Sequence, residues 1–561
     1  MRTFSISTLG CKVNQYEAQQ IREFLEGLGL SVVEPNARPE LVVINTCCVT
    51  ATASAKSRQY IQRAGKLSPD AIRVVCGCLP AMKSREMTLS GGNNIRVVSS
   101  RDELPAVLTQ IVVGENTCIR AENSRQINDD TTGLTNFPRL PLLTSFKGHT
   151  RAFLKVQDGC DGLCTYCIVP KVRPDVHSKP IDEAIDEAKQ LVAAGHKEIV
   201  VTGVCLGAYG RQTVRRNWIP DRRAKEAAPD YDIRGQAVED RQENRRPEDP
   251  ASPNGYAEAS GGQTLLRQGL RRAGDRRQKT EDKEYDEQRT SNVERPTSNK
   301  EALSVLLGRL AGVEGLYRIR VSSLEPGDIS EELLDVFCKH SNIMPHIHLS
   351  VQSGSDNILR RMGRQYSAAE LREKIALIKS RLDRPAITSD IIVGFPAETQ
   401  EDFEQTAELA KWAGFSKMHI FPFSVRMGTP AAKLKGRVAP GVIKERAEIL
   451  RKLSDELGRK FREQFIGETC EVLLENTEPL SGRCERYFEV EIKSGTTDCA
   501  DYTDSLATEI FSHRGHRDHR ENNENQIVTN LVPSGLSGKN QIVRVKITAA
   551  TEEGAAGEEA G

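Results

Sequence analysis

Gln157 Asp158 Gly159 Cys160 Asp161 Gly162 Leu163 Cys164 Thr165 Tyr166 Cys167 follows directly on the apolar run of residues 152–156. That run predicts a strand, so the spacing C-x3-C-x2-C sets three thiols in one loop at a strand's carboxyl end. Soft thiolates in such a set suit an iron–sulfur cluster or zinc. A four-iron cluster takes four ligands, so three from one loop leave one iron open to a substrate or cofactor. Structural zinc usually needs a fourth protein ligand and a paired C-x2-C, and no nearby His or Cys has that spacing.

Working outward, strands are predicted at 152–156, 198–204, 316–321, 346–351, 386–393 and 417–422, with helices at 181–194, 303–312, 330–338, 368–381 and 400–413. Six βα-like units in succession fit a partial or complete βα barrel, whose chemistry sits at the strand carboxyl ends, where Cys160 lies. Upstream, strands at 4–9, 41–44 and 72–75 alternate with helices at 15–28 and 53–66, a parallel αβ pattern. Cys11, Cys47 and Cys78 each fall just beyond one of those strands, and such ends form a ligand crevice, so the three make a candidate metal site. Downstream, a long helix at 440–463 leads to strands at 469–474, 487–492 and 541–547, a small β-rich module. The fold class is therefore α/β. It comprises an N-terminal parallel αβ domain (1–121), a linker (122–145), a barrel (146–464), and a β-barrel-type module (465–549) with a polar insertion at 494–530. Residues 211–300 interrupt the barrel pattern with dense charge and few aliphatics, too little apolar surface to offset an ordering cost of about 1–2 kcal/mol per residue. They are read as a mostly disordered insertion, and the small acidic tail 550–561 likewise as disordered.

The 561 residues correspond to three or four domains at about 150 each. Lys plus Arg (78) equals Asp plus Glu (78), which excludes a histone-like or tail-driven nucleic-acid binder and confines any RNA contact to a local patch. Only 38% of residues are hydrophobic, so part of the length is not buried. The longest apolar runs, such as Ile199 to Val204, fall far short of the roughly 20 residues that cross a bilayer. The chain enters a strand-like alternation at once, without a signal-peptide pattern, so a cytoplasmic location is expected. In that compartment fourteen cysteines are ligands, redox groups or buried small hydrophobes rather than disulfides.

The cysteine loop on the first barrel strand resembles the radical S-adenosylmethionine superfamily. Further stretches narrow the resemblance: Thr8 Leu9 Gly10 Cys11 Lys12 Val13 Asn14 Gln15 Tyr16 Glu17, Asn45 Thr46 Cys47 with Val49 Thr50, and Gly77 Cys78. Beyond the loop stand Ser322 Ser323 Leu324 Glu325 Pro326, Gln352 Ser353 Gly354 Ser355, Ile392 Val393 Gly394 Phe395 Pro396, and Arg426 with Gly428 Thr429. Together they are similar to the methylthiotransferases. The opening motif resembles the branch acting on tRNA N6-threonylcarbamoyladenosine, next to the anticodon at position 37. The resemblance covers nearly the whole chain except the two insertions.

The resemblance implies two [4Fe-4S] clusters and S-adenosyl-L-methionine as cofactors. Cys160, Cys164 and Cys167 would hold the catalytic, radical-generating cluster, and Cys11, Cys47 and Cys78 a second cluster that carries or delivers sulfur. In the family's proposed reaction one cofactor molecule methylates that sulfur. Another is cleaved reductively to a radical that takes the hydrogen from C2 of the adenine. Such a C–H carries no leaving group and no useful acidity, so a radical cofactor must do the hard step. Tyr166, Gly203, Ser322, Glu325, Gln352, Ser353 and Gly394 are the candidates for the cofactor pocket. The implied partners are the anticodon loop of tRNA, an electron donor such as a flavodoxin or ferredoxin, and a sulfur donor; no membrane is involved. The C-terminal module resembles the TRAM domain, and Arg483, Arg486, Lys493, Lys539, Arg544 and Lys546 are candidate phosphate contacts.

Cys48 and Cys76 stand beside or near predicted ligands, but three are already supplied. Cys118, Cys338, Cys470, Cys484 and Cys499 read as structural or incidental, and His346 and His348 as packed or hydrogen-bonded. Where the family usually carries Arg-Gly and Ser-Arg, this chain has Arg173 Pro174 and Ser178 Lys179, and Cys205 replaces an Asn. Pro174 removes an N–H, and Lys179 lacks a bidentate fork. Two other readings stand beside the main one: a methylthiotransferase for another substrate, such as a ribosomal-protein aspartate or another modified adenosine, and an inactive RNA-binding iron–sulfur protein. The opening motif argues against the ribosomal branch and the six cysteines against lost activity.

Overall fold

The computed structural model describes residues 1–82, 94–113, 140–215, 302–492, 540–551 and 554–559, all within the unit formed by Met1–Ala237 and Glu301–Gly561. Strands β1 (Thr3–Thr8), β2 (Ser31–Val32), β3 (Leu41–Thr46), β4 (Ile72–Gly77) and β5 (Ile95–Val97) form a parallel sheet in the order β2-β1-β3-β4-β5. Every residue of the central strand β3 is buried, as a strand covered on both faces requires. Helices Lys12–Gly27 and Ala51–Leu67 make the first crossovers, the second capped by the Thr50 side chain, which accepts from the Ala53 N–H.

The second sheet system holds β6 (Ala152–Asp158), β7 (His177–Ser178), β8 (Glu198–Gly203), β9 (Arg318–Val321), β10 (His346–Gln352), β11 (Ala386–Val393) and β12 (Lys417–Pro422). Strands β6, β8 and β9 run parallel with β7 antiparallel at the edge, and β10, β11 and β12 form a second parallel group. Bridges from Ile319 to Ile343 and Leu324 to Leu349 connect the two groups. Among the described residues β12 does not pair with β6, so the six parallel strands form a partial barrel. Strand alternation sends Ile347, Leu349, Val351, Ile387, Ile391 and Val393 into the core beneath the helices, leaving His346, His348, Thr388 and Asp390 to the lumen. No helix among the described residues is long and apolar enough to cross a membrane.

The C-terminal module is a closed barrel of β13 (Thr469–Thr477), β14 (Leu480–Cys484), β15 (Glu489–Ile492), β16 (Ile542–Ala550) and β17 (Ala555–Glu559), in the order β13-β14-β15-β17-β16. The tail expected to be disordered thus supplies the closing strand, paired with β15 and β16. Its composition hid this, because ladder bonds need only backbone, and the small Ala555 fits the barrel interior. Arg318 and Arg320 of β9, both almost wholly buried, tie the module on: they donate to the carbonyls of Glu471, Arg483, Cys484 and Glu485 at 2.7–3.0 Å.

Parts of the predicted linker (122–139), of the first insertion (216–300) and all of the second (494–530) lie outside the described residues, as do Cys118, Cys499, Lys493 and Lys539. Where these segments are described they pack. Leu143 is buried with its N–H 3.3 Å from Glu187 Oε1. The first insertion begins later than residue 211, because Val214 is buried and Thr213 Oγ1 and the Val214 N–H both bond Asp161, at 2.6 and 2.8 Å.

Candidate active site

The C-x3-C-x2-C loop is shaped by two glycines. A side chain at Gly159 (φ +78°) would stand 1.6 Å from the Asp175 carbonyl oxygen, and one at Gly363 (φ +70°) 2.4 Å from that of Leu163. Both positions use the left-handed conformation for a close passage of backbone on backbone. The Cys160 N–H donates to Arg173 O (2.8 Å), the Thr165 N–H to Met362 O (2.8 Å) and the Ala431 N–H to Thr165 O (2.9 Å). Each cysteine sulfur faces a donor: the Gly162 N–H toward Cys160 (3.3 Å), the Val169 N–H toward Cys167 (3.4 Å) and Arg364 Nη1 toward Cys164 (3.1 Å). Burial pushes the Cys160 and Cys167 thiols up to about 12. Ionised sulfurs here therefore need a bound cation, and the three donors stand ready to give hydrogen bonds to the sulfurs that ligate it.

Cys11, Cys47 and Cys78 come together as the strand-end argument requires. Gly10 (φ +110°) allows the close approach, since a Cβ there would lie 2.8 Å from Cys47 Cβ. Asn14 Oδ1 lies 3.8 Å from Cys11 Sγ and 3.9 Å from Cys78 Sγ, while its amide donates to Leu9 O and Thr46 O at 2.8 and 2.9 Å. Burial, reinforced by the Cys78 and Cys11 charges, pushes the Cys47 thiol up to about 11. Cys48 and Cys76 turn to other partners, the carbonyls of Cys78 (3.2 Å) and Ile44 (3.8 Å). The one trio of metal-binding type among the described residues whose donor atoms all fall within 4.8 Å is His348, Asp390 and His419, so both cysteine triads are wider. A single zinc, with bonds of about 2.3 Å, draws its sulfurs closer than that, whereas a multi-iron cluster spans the gap.

One residue joins the two triads. Arg173 accepts the Cys160 N–H on its carbonyl, while its guanidinium donates toward Cys78 Sγ (3.6 Å) and to Asn14 Oδ1 (3.1 Å). The same guanidinium pairs with Glu17 (3.0 and 3.1 Å) and Asp158 (2.9 Å), both buried. Lys155 reaches those carboxylates at 2.9 and 2.5 Å, and Arg101 pairs with both. Three cations against two carboxylates leave one positive charge facing the Cys78 sulfur. The nearby carboxylates and thiols hold the Arg173 pKa above its usual value against the opposing effect of burial.

The predicted pocket residues divide. Glu325 pairs with Arg364 (3.1 Å), whose Nη1 also lies 3.4 Å from the Tyr166 hydroxyl, so both adjoin the cysteine loop. Ser322 is buried at the end of β9. Gly203 lets β8 press on Gln157, where a Cβ would meet the Gln157 side chain at 2.9 Å. Gln352 ends β10 with φ +64°, a strained backbone at the carboxyl mouth of the barrel. Ser353 and Gly394 make packing contacts behind the turns they occupy. The Ser353 hydroxyl bonds Thr406 (3.2 Å) in helix Gln400–Ala413, and a Cβ at Gly394 would lie 2.4 Å from Ile443 in helix Pro440–Glu463. Lys179, which lacks the fork of an arginine, forms a buried ion pair with Glu187 and meets the Tyr16 hydroxyl at 3.0 Å. Cys205 donates its N–H to Gln157 Oε1 (2.7 Å), and burial holds its thiol well above the usual range. Arg483 and Arg486 are bound to the Tyr487 carbonyl and to Asp383, while Arg544 and Lys546 face outward. Asn14, Glu17 and Arg364 were not singled out as site residues from the sequence. Asn14 and Glu17 follow Cys11 by three and six residues on the same helix, whereas Arg364 has no local signal.

Residues 3–98 match the Uncharacterized protein family UPF0004 and residues 296–410 the radical SAM superfamily. The chain is 31% identical over 510 residues to the threonylcarbamoyladenosine tRNA methylthiotransferase MtaB of Bacillus subtilis, covering 89% of this chain and 92% of that one. It is 30% identical to the MtaB of Thermotoga maritima, covering 85% and 87%. A tRNA-2-methylthio-N(6)-dimethylallyladenosine synthase of Pelotomaculum thermopropionicum is 26% identical, covering 85% and 87%. With two cysteine triads in place and this similarity along almost its full length, the chain belongs to the radical SAM methylthiotransferase family.

Proposed function

We propose that the chain is a cytoplasmic tRNA methylthiotransferase that adds a methylthio group to C2 of N6-threonylcarbamoyladenosine at position 37, beside the anticodon. The observation that carries this is the placement of two cysteine triads on opposite sides of one buried residue, Arg173. Cys160, Cys164 and Cys167 hold the first [4Fe-4S] cluster, and Cys11, Cys47 and Cys78 the second. Bound there, the clusters and S-adenosylmethionine supply the one-electron and sulfur chemistry that an unactivated C–H requires.

The protein's own part is electrostatic and steric. Arg364 and Arg173 each direct a guanidinium at one cysteine sulfur, offsetting the charge of a thiolate-ligated cluster. Glu325, Ser322, Tyr166 and Gln352 line the mouth of the barrel around the cofactor, while Gly203, Gly394 and Ser353 fix the surrounding turns. The target base must leave its stack to reach this mouth, which an anticodon loop permits at low cost. The C-terminal barrel presents Arg544 and Lys546 to phosphates, and a flavodoxin or ferredoxin supplies electrons. In domain terms, residues 1–121 carry the second cluster, 146–464 the first, and the module from 465 onward binds RNA.

Expression in a bacterium lacking its own enzyme tests the proposal. The 2-methylthio form of threonylcarbamoyladenosine is expected in digested tRNA, from a chain holding about eight irons. Cys47→Ala is expected to keep about half of the iron and to cleave S-adenosylmethionine without forming product. Absence of product from a fully iron-loaded chain refutes the assignment.

A further inference from the structure

Deeper in the barrel than the cysteine loop, the lumen carries a polar layer that the roles above leave unused. His348 on β10, Asp390 on β11 and His419 on β12 face one another from adjacent strands, with His348 and His419 ring centres 5.8 Å apart. The register places Thr388 opposite His348 and Asp390 opposite His419.

The hydrogen bonds fix the protons. His346 Nε2 and His348 Nδ1 both meet Thr388 Oγ1, at 3.1 and 2.9 Å, and a hydroxyl has one proton, so it accepts from one ring and donates to the other. The buried His346 Nδ1 has no partner, and an unpaired lone pair is tolerated more readily than an unpaired N–H. His346 therefore donates through Nε2, Thr388 donates to His348 Nδ1, and His348 Nε2–H donates to Asp390 Oδ2 at 3.3 Å. That assignment removes His348 Nε2 as a metal ligand. Asp390 keeps acceptor capacity toward the lumen, and His419 is exposed there. Lys12, from the first turn of helix Lys12–Gly27, lies close enough for its charge to act on Tyr487, Asp390, His346 and His419, with the cations Arg151 and Arg320 also near it. It forms no hydrogen bond or ion pair among the described residues, and its charge further disfavours a cation at the trio.

We infer that this layer is the subsite for the N6 substituent of the target adenosine: Lys12 takes a carboxylate, and Asp390 and His419 take N–H and hydroxyl groups. The inference rests on the function proposed above and adds which residues read the substituent. A threonylcarbamoyl group offers a carboxylate, a hydroxyl and N–H donors, which complement an ammonium, an imidazole and a carboxylate. A purely aliphatic substituent leaves all three desolvated without partners, the arrangement that discriminates most strongly.

The test uses iron-loaded full-length protein and three anticodon stem-loop RNAs. One carries threonylcarbamoyladenosine, one the same nucleoside with its carboxylate made a carboxamide, and one the glycyl analogue without the hydroxyl. Wild type is expected to favour the carboxylate over the carboxamide in kcat/KM by at least about tenfold, the value of a charge-assisted hydrogen bond. In Lys12→Gln that ratio falls to near one, chiefly through KM. Because Lys12 adjoins Cys11, iron is measured in the same sample, and His419→Gln serves as the variant remote from both triads. It is expected to lose the preference for threonyl over glycyl RNA. Equal use of all three RNAs by wild type, or preferences unchanged in His419→Gln, overturns the inference while leaving the function intact. Stoichiometric zinc uptake abolished by His419→Gln also overturns it, since the trio is then a metal site. Wild type acting on none of the RNAs overturns the function itself.

Discussion

Replacing Arg173 with methionine keeps most of its volume and removes a buried charge that touches Glu17, Asp158, Asn14 and Cys78. Breaking a buried ion pair from one side costs about 3–5 kcal/mol, because the remaining charge stays desolvated. Here Lys155 and Arg101 still face both carboxylates, so the lower end applies, about 3 kcal/mol. That is more than a hundredfold in the folding equilibrium, at about 1.4 kcal/mol per factor of ten. Anaerobic urea unfolding of the cluster-free chain measures it, with the midpoint falling and the slope unchanged. Glu17→Gln should cost less in this background than in the wild type, a coupling of about 2 kcal/mol in a double-mutant cycle. The backbone bond from Cys160 to Arg173 O survives the substitution, so about four irons should remain at the Cys160 triad while the Cys78 triad loads poorly. A stability change under about 0.5 kcal/mol, or strict additivity with Glu17→Gln, would refute the shared network.

Gly363→Ala should be poorly tolerated. The left-handed φ alone costs alanine about 1–2 kcal/mol, and the added Cβ presses on Leu163 O, so iron at the Cys160 triad should drop in parallel with the midpoint of unfolding. Arg320→Met strips Glu198 of its 2.8 Å partner and the C-terminal barrel of two hydrogen bonds. A loss of about 3–5 kcal/mol is expected, with protease sensitivity appearing first between helix Pro440–Glu463 and β13. Ending the chain after Ala550 removes β17 and exposes the edges of β15 and β16, so hydrogen exchange in those two strands should accelerate while β6 to β12 stay protected.

Both cysteine triads were legible because a thiol's chemistry is carried by its identity and the strand pattern supplies its position. Cys11, Cys47 and Cys78 are far apart in sequence, yet each follows a parallel strand, and parallel topology converts that shared offset into proximity. The barrel strands were legible for the same reason, their outward faces being mainly aliphatic. Arg364 and Arg173 were not, since Arg364 meets Cys164 across 200 positions and Arg173 meets Glu17 across 156, and an arginine on a loop looks the same whether solvated or buried. The packing contacts of Ser353 and Gly394 were not legible either, since they depend on where helices Gln400–Ala413 and Pro440–Glu463 pass. Strand β17 was invisible because alanine, glycine and glutamate carry no strand signal, and its partners β15 and β16 specify it from outside.

Helix Lys12–Gly27 explains why the two halves act together. Its cap residue is Cys11, Lys12 lies within charge range of Asp390 in the barrel lumen, Asn14 holds two cysteine sulfurs, Tyr16 packs in the barrel core and bonds Glu187 (2.7 Å), and Glu17 anchors Arg173. These positions fall at helical spacing, Lys12 with Tyr16 and Asn14 with Glu17, so two adjacent faces of one helix serve the barrel and the second triad at once. A displacement of this helix that moves Cys11 must also move Lys12 and strain the Glu17 to Arg173 pair, whose other end holds the Cys160 loop. The Cys11 triad, the Cys160 loop and the barrel lumen are thereby kept in register by a single rigid element, which is what the proposed reaction, joining three components at one carbon, requires.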